Sequence, residues 1–179
     1  METVSKRIYD TLEEMMAYSN GDLKVGDEVI VNEENGRNKY VIAHIGRKKI
    51  KLVRKEILMQ KEMQSEDFDL LEWLDGTFKE SLNNLNNVEI RKVTVPTLMN
   101  VFGETYWDAE PKGKQWEWFE EPANRIAISH EDNLSHTWWL RDVVSGSTFA
   151  FVYSYGHSGS DGASSTWVGV RPALSIYYL

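Results

Sequence analysis

The spacing of apolar residues changes several times along the chain, and each change marks a new kind of element. Ile8, Leu12, Met15 and Met16 recur at intervals of three and four, the period of one helical face. They predict a helix over residues 3–18, with Ser5 as N-cap and Gly21 as stop. Its apolar stripe serves either to pack on the core or as an attachment or oligomerisation surface. Residues 26–58 change to strand-like runs. Glu28-Val29-Ile30-Val31, Tyr40-Val41-Ile42-Ala43-His44-Ile45 and a run through Ile50, Leu52 and Val53 are separated by Asn35-Gly36 and Gly46-Arg47. That pattern is a small antiparallel meander. Its third run lies in a basic stretch of Arg47, Lys48, Lys49, Lys51, Arg54 and Lys55, which reads as a solvated strand face that protects an edge.

Residues 65–102 return to helical spacing. Ser65 or Asp67 caps a short helix through Phe68, Leu71 and Leu74, and Asp75-Gly76 ends it. Thr77 with Glu80 then forms a capping box for a second helix through Phe78 and Leu82. Asn83, Asn84, Asn86 and Asn87 dissolve the pattern into a loop. Val93-Thr94-Val95-Pro96-Thr97 reads as a strand end, a proline turn and another N-cap, leading to Leu98, Met99 and Phe102. Residues 104–137 have little periodicity, and a long irregular loop in a compact domain is often functional. Here Trp107, Trp116 and Trp118 supply anchors, because a loop that buries indoles is rigid without regular hydrogen bonding. The last segment opens with Trp138-Trp139-Leu140-Arg141 and closes with the strand Gly169-Val170-Arg171-Pro172-Ala173-Leu174-Ser175-Ile176.

Charge and composition narrow the function. With 179 residues the chain is large enough for its own core. It has 28 acidic against 20 basic residues, a net charge of -8, which argues against nucleic acid as its main partner. The absence of cysteine excludes a disulfide framework, a thiolate zinc site and a cysteine nucleophile together. No apolar run approaches membrane-spanning length, and no apolar h-region follows Lys6 and Arg7, so no secretory signal is expected.

The motifs of catalysis are missing. Gly156-His157-Ser158-Gly159 is a near miss for a nucleophile elbow, with the wrong spacing. His130 and His136 stand too far apart for a helical metal pair, and the acidic residues of 104–132 form no calcium loop. A hydrolase using His157 and Asp161 would lack a convincing nucleophile. No catalytic residue, metal or cofactor is therefore expected.

The informative stretch is 145–168. Phe149, Phe151, Tyr153 and Tyr155 alternate with Ala150, Val152 and Ser154, so a strand here carries one aromatic face and one small face. Either the aromatic face is core, or the small residues pack inward and the aromatics meet a partner. Residues 142–166 contain seven Ser and four Gly but no Lys, Glu, Gln, Met or Trp. Tyr, Ser and Gly together are the composition of antibody binding loops, where Tyr gives contact area at low entropy cost and Ser and Gly adapt.

The Trp138-Trp139-Leu140-Arg141 and Gly169–Leu174 motifs, with the Ser/Gly/Tyr stretch between them, resemble a bacterial and phage domain of C-type-lectin-like type. Gly26-Asp27-Glu28-Val29, Leu71-Glu72-Trp73-Leu74-Asp75-Gly76-Thr77-Phe78 and Val95-Pro96-Thr97 resemble earlier landmarks of the same family. Some members look like the variable proteins of diversity-generating retroelements, in which adenine-directed mutagenesis rewrites Asn codons near the end of the gene. Lys, Glu, Gln, Met and Trp, five of the types missing from 142–166, are ones that a randomised AAY codon cannot give. On this resemblance Ala150, Val152, Gly156 and Ala163 fall at constant places. Phe151, Tyr153, Ser154, Tyr155, His157, Gly159, Ser160, Asp161 and Gly162 fall at variable, ligand-binding ones. Trp167 cannot come from such a codon and belongs to the scaffold. The lectin calcium motifs are absent, Glu121-Pro122-Ala123-Asn124 being only superficially similar.

The expectation is an α+β protein of C-type-lectin-like fold, with small antiparallel sheets, short helices and long irregular loops. Residues 1–21 form the N-terminal helix and 22–179 the ligand-binding domain, with a variable region at about 142–168. The resemblance implies a non-enzymatic receptor-binding protein or adhesin. Its partner would be a protein or glycan on a bacterial surface, met on a phage virion, with the chain cytoplasmic before assembly and a homo-oligomer open. The alternative is a fixed-specificity adhesin or structural domain of the same fold.

Overall fold

A computed structural model describes residues 5–178. The chain is α+β, built from small sheets with a few short helices. It begins with β1 (Ile8–Tyr9) and α1 (Leu12–Met16), then the meander β2 (Glu28–Glu33), β3 (Gly36–Ile45) and β4 (Lys49–Arg54). The short strands β5 (Met59–Gln60), β6 (Gln64–Ser65) and β7 (Phe68–Asp69) lead into α2 (Leu70–Trp73), a π turn over Leu74–Phe78, and α3 (Lys79–Leu85). After β8 (Lys92–Thr94) and α4 (Leu98–Phe102) come two 3-10 turns, Glu117–Glu120 and Pro122–Arg125. The rest is strand: β9 (Ala127–Ile128), β10 (Ser135–His136), β11 (Trp138–Ser145), β12 (Thr148–Val152), β13 (Ser158–Gly162), β14 (Gly169–Val170) and β15 (Ala173–Tyr177).

Two larger sheets carry the fold, ordered β1-β2-β3-β4-β15-β8 and β13-β12-β11-β14-β5. The meander forms as the Asn35-Gly36 signal requires, with Asn32 opposite Arg37 and Tyr40 opposite Arg54. The edge-protection reading of the basic run is corrected. The last strand of the chain, β15, pairs with β4 on one side and β8 on the other, so β4 is an interior strand. Arg54 lies buried in a fork–fork pair with Glu33 (Nη2–Oε1 2.9 Å, Nε–Oε2 3.0 Å), and Tyr40 donates to the same carboxylate at 2.7 Å.

The N-terminal helix is much shorter than its periodicity predicted. Ser5 caps nothing. Instead β1 runs parallel to β2, and Thr11 caps α1 through the Glu14 N–H. Leu12 and Met15 are buried in the main core and Met16 packs against it, while Ile8 is exposed. Residues 1–4 of the expected helix lie outside the described residues.

The break expected at Asp75-Gly76 is also corrected. Leu70, Leu74, Phe78 and Leu82 are all buried at four-residue intervals, so one face stays committed to the core through the glycine. That burial exceeds the ~1 kcal/mol cost of a helical Gly, and the π turn absorbs the strain. Thr77 therefore caps nothing, and Asp69, not Ser65 or Asp67, is the N-cap. Thr97 behaves as expected, in a reciprocal capping box with Asn100. The tryptophan-rich loop is pinned at one end, with Trp116 and Phe119 buried and stacked at 6.3 Å, whereas Trp107 is exposed and is corrected from anchor to surface residue.

The second sheet is buried on both faces, as period-2 alternation allows. Trp139, Phe149 and Phe151 join the main core, while Trp138, Leu140, Ala150 and Val152 join a second one with Phe119 and Ala173. Each indole N–H finds a carbonyl, Trp138 on Arg125 at 2.9 Å and Trp139 on Lys61 at 2.8 Å.

Arg171 sits where the two sheets meet, only 1% exposed. Its guanidinium donates to the carbonyls of Arg54 (2.9 Å), Asn124 (3.0 Å) and Lys55 (3.1 Å). It also lies over the rings of Trp138, Trp118 and Phe119, at 5.0, 5.2 and 5.8 Å from their centroids. Burial lowers its pKa to about 9, so it is still a cation at neutral pH. A lysine cannot span three carbonyls in one plane. Arg171→Lys should therefore cost about 3 kcal/mol, read as a fall in Tm of roughly 6–12 °C in a chain of this size; an unchanged Tm would show that Arg171 does not join the sheets.

Candidate functional site

The site begins where β12 leaves the sheet. Phe149 and Phe151 are in the core, and Phe151 is 1% exposed. Phe151 is thus corrected from ligand contact to core residue: its side of β12 faces Trp139 at 6.4 Å between ring centroids. From Tyr153 onward the aromatic run climbs out of the core. Tyr153 packs edge-on against Phe151 at 4.6 Å and parallel to Tyr155 at 5.1 Å, with 7° between the planes. Tyr155 is 61% exposed and meets the His157 ring at 5.2 Å.

The turn that presents these rings is held by its own backbone. The Tyr153 N–H donates to the His157 carbonyl at 2.6 Å and the Gly156 N–H to the Tyr153 carbonyl at 2.8 Å. Gly156 has φ +93°, a conformation that disfavours any side chain there. β13 then returns along β12 as a sheet edge, with Gly159 opposite Phe151 and Asp161 opposite Phe149.

Gly159 carries a strict steric demand. A Cβ built there lands on the Phe151 and Tyr153 rings. The glycine is the floor on which both aromatics lie, so it too is corrected from ligand contact to packing position. Gly162, three residues on, has open space around it.

Asp161 and Trp167 close the other side. Asp161 accepts from the Gly162 N–H at 2.7 Å and from Trp167 Nε1 at 3.1 Å. The Gly162 N–H first, then the Ser165 hydroxyl, holds its carboxyl below the usual range. Trp167 is 47% exposed and stands edge-on over Phe151 at 5.8 Å. The sequence places it outside the variable set, yet it offers the largest exposed ring of the site. With both Asp161 oxygens engaged in its own loop, no hydrogen bond joins it to His157 among the described residues.

The nine residues singled out from sequence therefore divide. Tyr153, Tyr155 and His157 form one aromatic run, Ser154 stands in their turn, and Ser160, Asp161 and Gly162 are half-buried on the adjacent edge strand. Phe151 and Gly159 lie beneath them. Among the described residues no group of three or more His, Asp and Glu side chains could hold a metal ion, and no helix is long and apolar enough to cross a membrane.

Comparison with known proteins finds a likeness over the second part of the chain. Residues 100–178 match the family model described as a domain of unknown function, DUF6273. The match takes in the tryptophan-rich loop, all strands of the second sheet but β5, and β15, and with them Arg171 and the aromatic run. No curated protein matches the chain, and no solved structure does.

The floor role of Gly159 is directly testable. Gly159→Ala should displace Phe151 and Tyr153 and destabilise the fold by about 2 kcal/mol. Gly162→Ala should stay within about 0.5 kcal/mol. Equal effects in chemical denaturation would refute the packing argument.

Proposed function

We propose that this chain is a non-enzymatic ligand-binding domain of C-type-lectin-like fold, and that the tip carried by residues 153–167 is its contact surface. The observation that carries this reading is the graded exposure of one aromatic run. Phe151 is anchored in the core, Tyr153 is half-buried on it, and Tyr155 is exposed and stacked on Tyr153. Trp167 stands beside them, tied by Asp161. Rigid, partly exposed Tyr and Trp rings surrounded by Ser and Gly give contact area at little entropic cost. Such residues dominate binding energy where they become buried by a partner. The partner is a protein or glycan on a bacterial surface, and the protein is a receptor-binding or adhesin module of the phage type. Diversification by a retroelement accounts for the restricted residue types of 142–166.

A fixed-specificity domain of the same fold is the second reading, and one observation favours it. Phe151 and Gly159 both fall at places the resemblance makes variable, yet each is locked against the other. Free variation at either would disturb the core.

DNA just downstream of the gene separates the two. Diversification predicts a near-copy of codons 138–176 that differs only where the copy has adenine, together with a reverse transcriptase gene. Neither would be present for a fixed binder. The contact surface has its own test, since Tyr155→Ala and Trp167→Ala should leave Tm within 2 °C while weakening attachment of the purified protein to bacterial cells at least tenfold. Loss of folding in both, or unchanged attachment to cells that bind the unaltered protein, would contradict it.

A further inference from the structure

We propose that a cleft between the first sheet and the Lys112–Lys114 loop is an anion site for a small ligand carrying several phosphate or sulfate groups. This site is independent of the aromatic tip and shares no residue with it. The chain is acidic overall, at net -8, yet one cleft of about 210 Å³ gathers Lys49, Lys51, Lys92, Lys112, Lys114 and Arg141.

Strand register builds its floor. Ser175 on β15 pairs with Lys51 on β4 and with Lys92 on β8, and His44 on β3 pairs with Lys51. Direct cross-strand partners project from the same face, so His44, Lys51, Ser175 and Lys92 form one row across four strands. Lys49 is two residues from Lys51 and shares that face. Like charges side by side on a sheet are destabilising; Lys51 Nζ donates to Ser175 Oγ at 2.6 Å and lies 6.0 Å from the Trp116 ring centroid, but neither contact brings a counter-charge. None of the six cations is in an ion pair among the described residues.

Two carboxylates lie nearby, and Asp142 keeps one oxygen, Oδ1, buried without a hydrogen-bond partner. Glu117 sits 2.6 Å from His44 Nδ1, and Asp142 Oδ2 accepts the Leu98 N–H at 2.8 Å. Arg141 Nε is buried without a hydrogen-bond partner, a state that costs free energy until an acceptor arrives. Burial, then Lys49, Lys92 and Arg141, lower the Lys51 pKa to about 8, which agrees with a cationic pocket short of an anion.

The roof is preorganised. Thr97 Oγ1 donates to the Lys112 carbonyl at 2.8 Å and Asn100 Nδ2 to the Lys114 carbonyl at 2.9 Å. Between them Gly113 turns the chain at φ +79°. Thr97 and Asn100 of the α4 capping box thus also hold the backbone of the two loop lysines, so a ligand need order only their side chains on binding. The volume suits a di- or triphosphate or a sulfated sugar unit. A long polyanion would meet the repulsion of the remaining acidic surface.

Isothermal titration of the full chain with tripolyphosphate, and separately with a polysulfated disaccharide, at fixed ionic strength tests the site. The tighter of the two identifies the source of the anion. Lys112→Ala/Lys114→Ala, on an exposed loop, should weaken binding at least tenfold with Tm unchanged. Lys51→Met should weaken it as much while leaving the ligand-free Tm equal or higher, since it removes repulsion. Lys48→Ala, outside the cleft, should bind as the unaltered chain does. Heat from neither probe, or equal affinity across all variants, would overturn the proposal. So would a single-stranded oligonucleotide that binds more tightly than both small anions.

Discussion

A buried guanidinium with no carboxylate beside it joins the two sheets of this protein. Arg171 bonds three carbonyls that come from the end of β4, the residue after it and the second 3-10 turn. It also presents its flat face to the Trp118, Phe119 and Trp138 cluster. A bare cation in such a place would be costly. Here carbonyl dipoles and aromatic quadrupoles replace water on all sides. Because Arg171 directly follows β14 and lies two residues before β15, one residue fixes both sheets at once. The neighbouring Arg54–Glu33 pair extends the same buried polar seam into the meander.

The frame leaves its mark on the tip. β12 is covered on both faces, so its side chains have no freedom to serve as a contact surface. Only where the strand ends, at Tyr153, does the chain acquire exposed rings. Those rings remain connected to the core through Phe151 and rest on Gly159, which gives them rigidity without regular structure. The basic cleft obeys the opposite logic. Part of the first sheet's second face carries a row of like charges, and the tryptophan-rich loop roofs it. Both surfaces depend on the same alternation of strand side chains, one for aromatic contact and the other for charge.

Local signals in the sequence were legible where local chemistry decides. Asn35-Gly36 sets a hairpin, Thr97 a cap, and the α+β class follows from the mixture of periods. What escaped is set by distant partners. The basic run looks like an edge because nothing near it reveals that β15, some 120 residues later, inserts beside β4. Asp75-Gly76 looks like a stop because the burial of Phe78 and Leu82 is not visible locally. At the tip, an aromatic/small alternation cannot say which face is inward when both are. Phe151 and Gly159 were singled out with the right segment but the wrong role, since their mutual packing exists only once β12 and β13 are paired. Codon chemistry puts Trp167 outside the variable set, although it is exposed and tied to Asp161 beside the aromatic run. The anion cleft, drawn from four strands and a loop, had no contiguous signature beyond the lysines of 48–55.

Native-state amide hydrogen exchange tests the division into frame and tip most directly. The account predicts that the amides of Trp139, Phe149 and Phe151 in β11 and β12 exchange only through global unfolding. Those of Ser154, Tyr155, Thr166 and Trp167 should exchange by local opening, orders of magnitude faster. Protection of Tyr155 and Trp167 equal to that of Phe151 would make the tip part of the core and contradict its role as a contact surface.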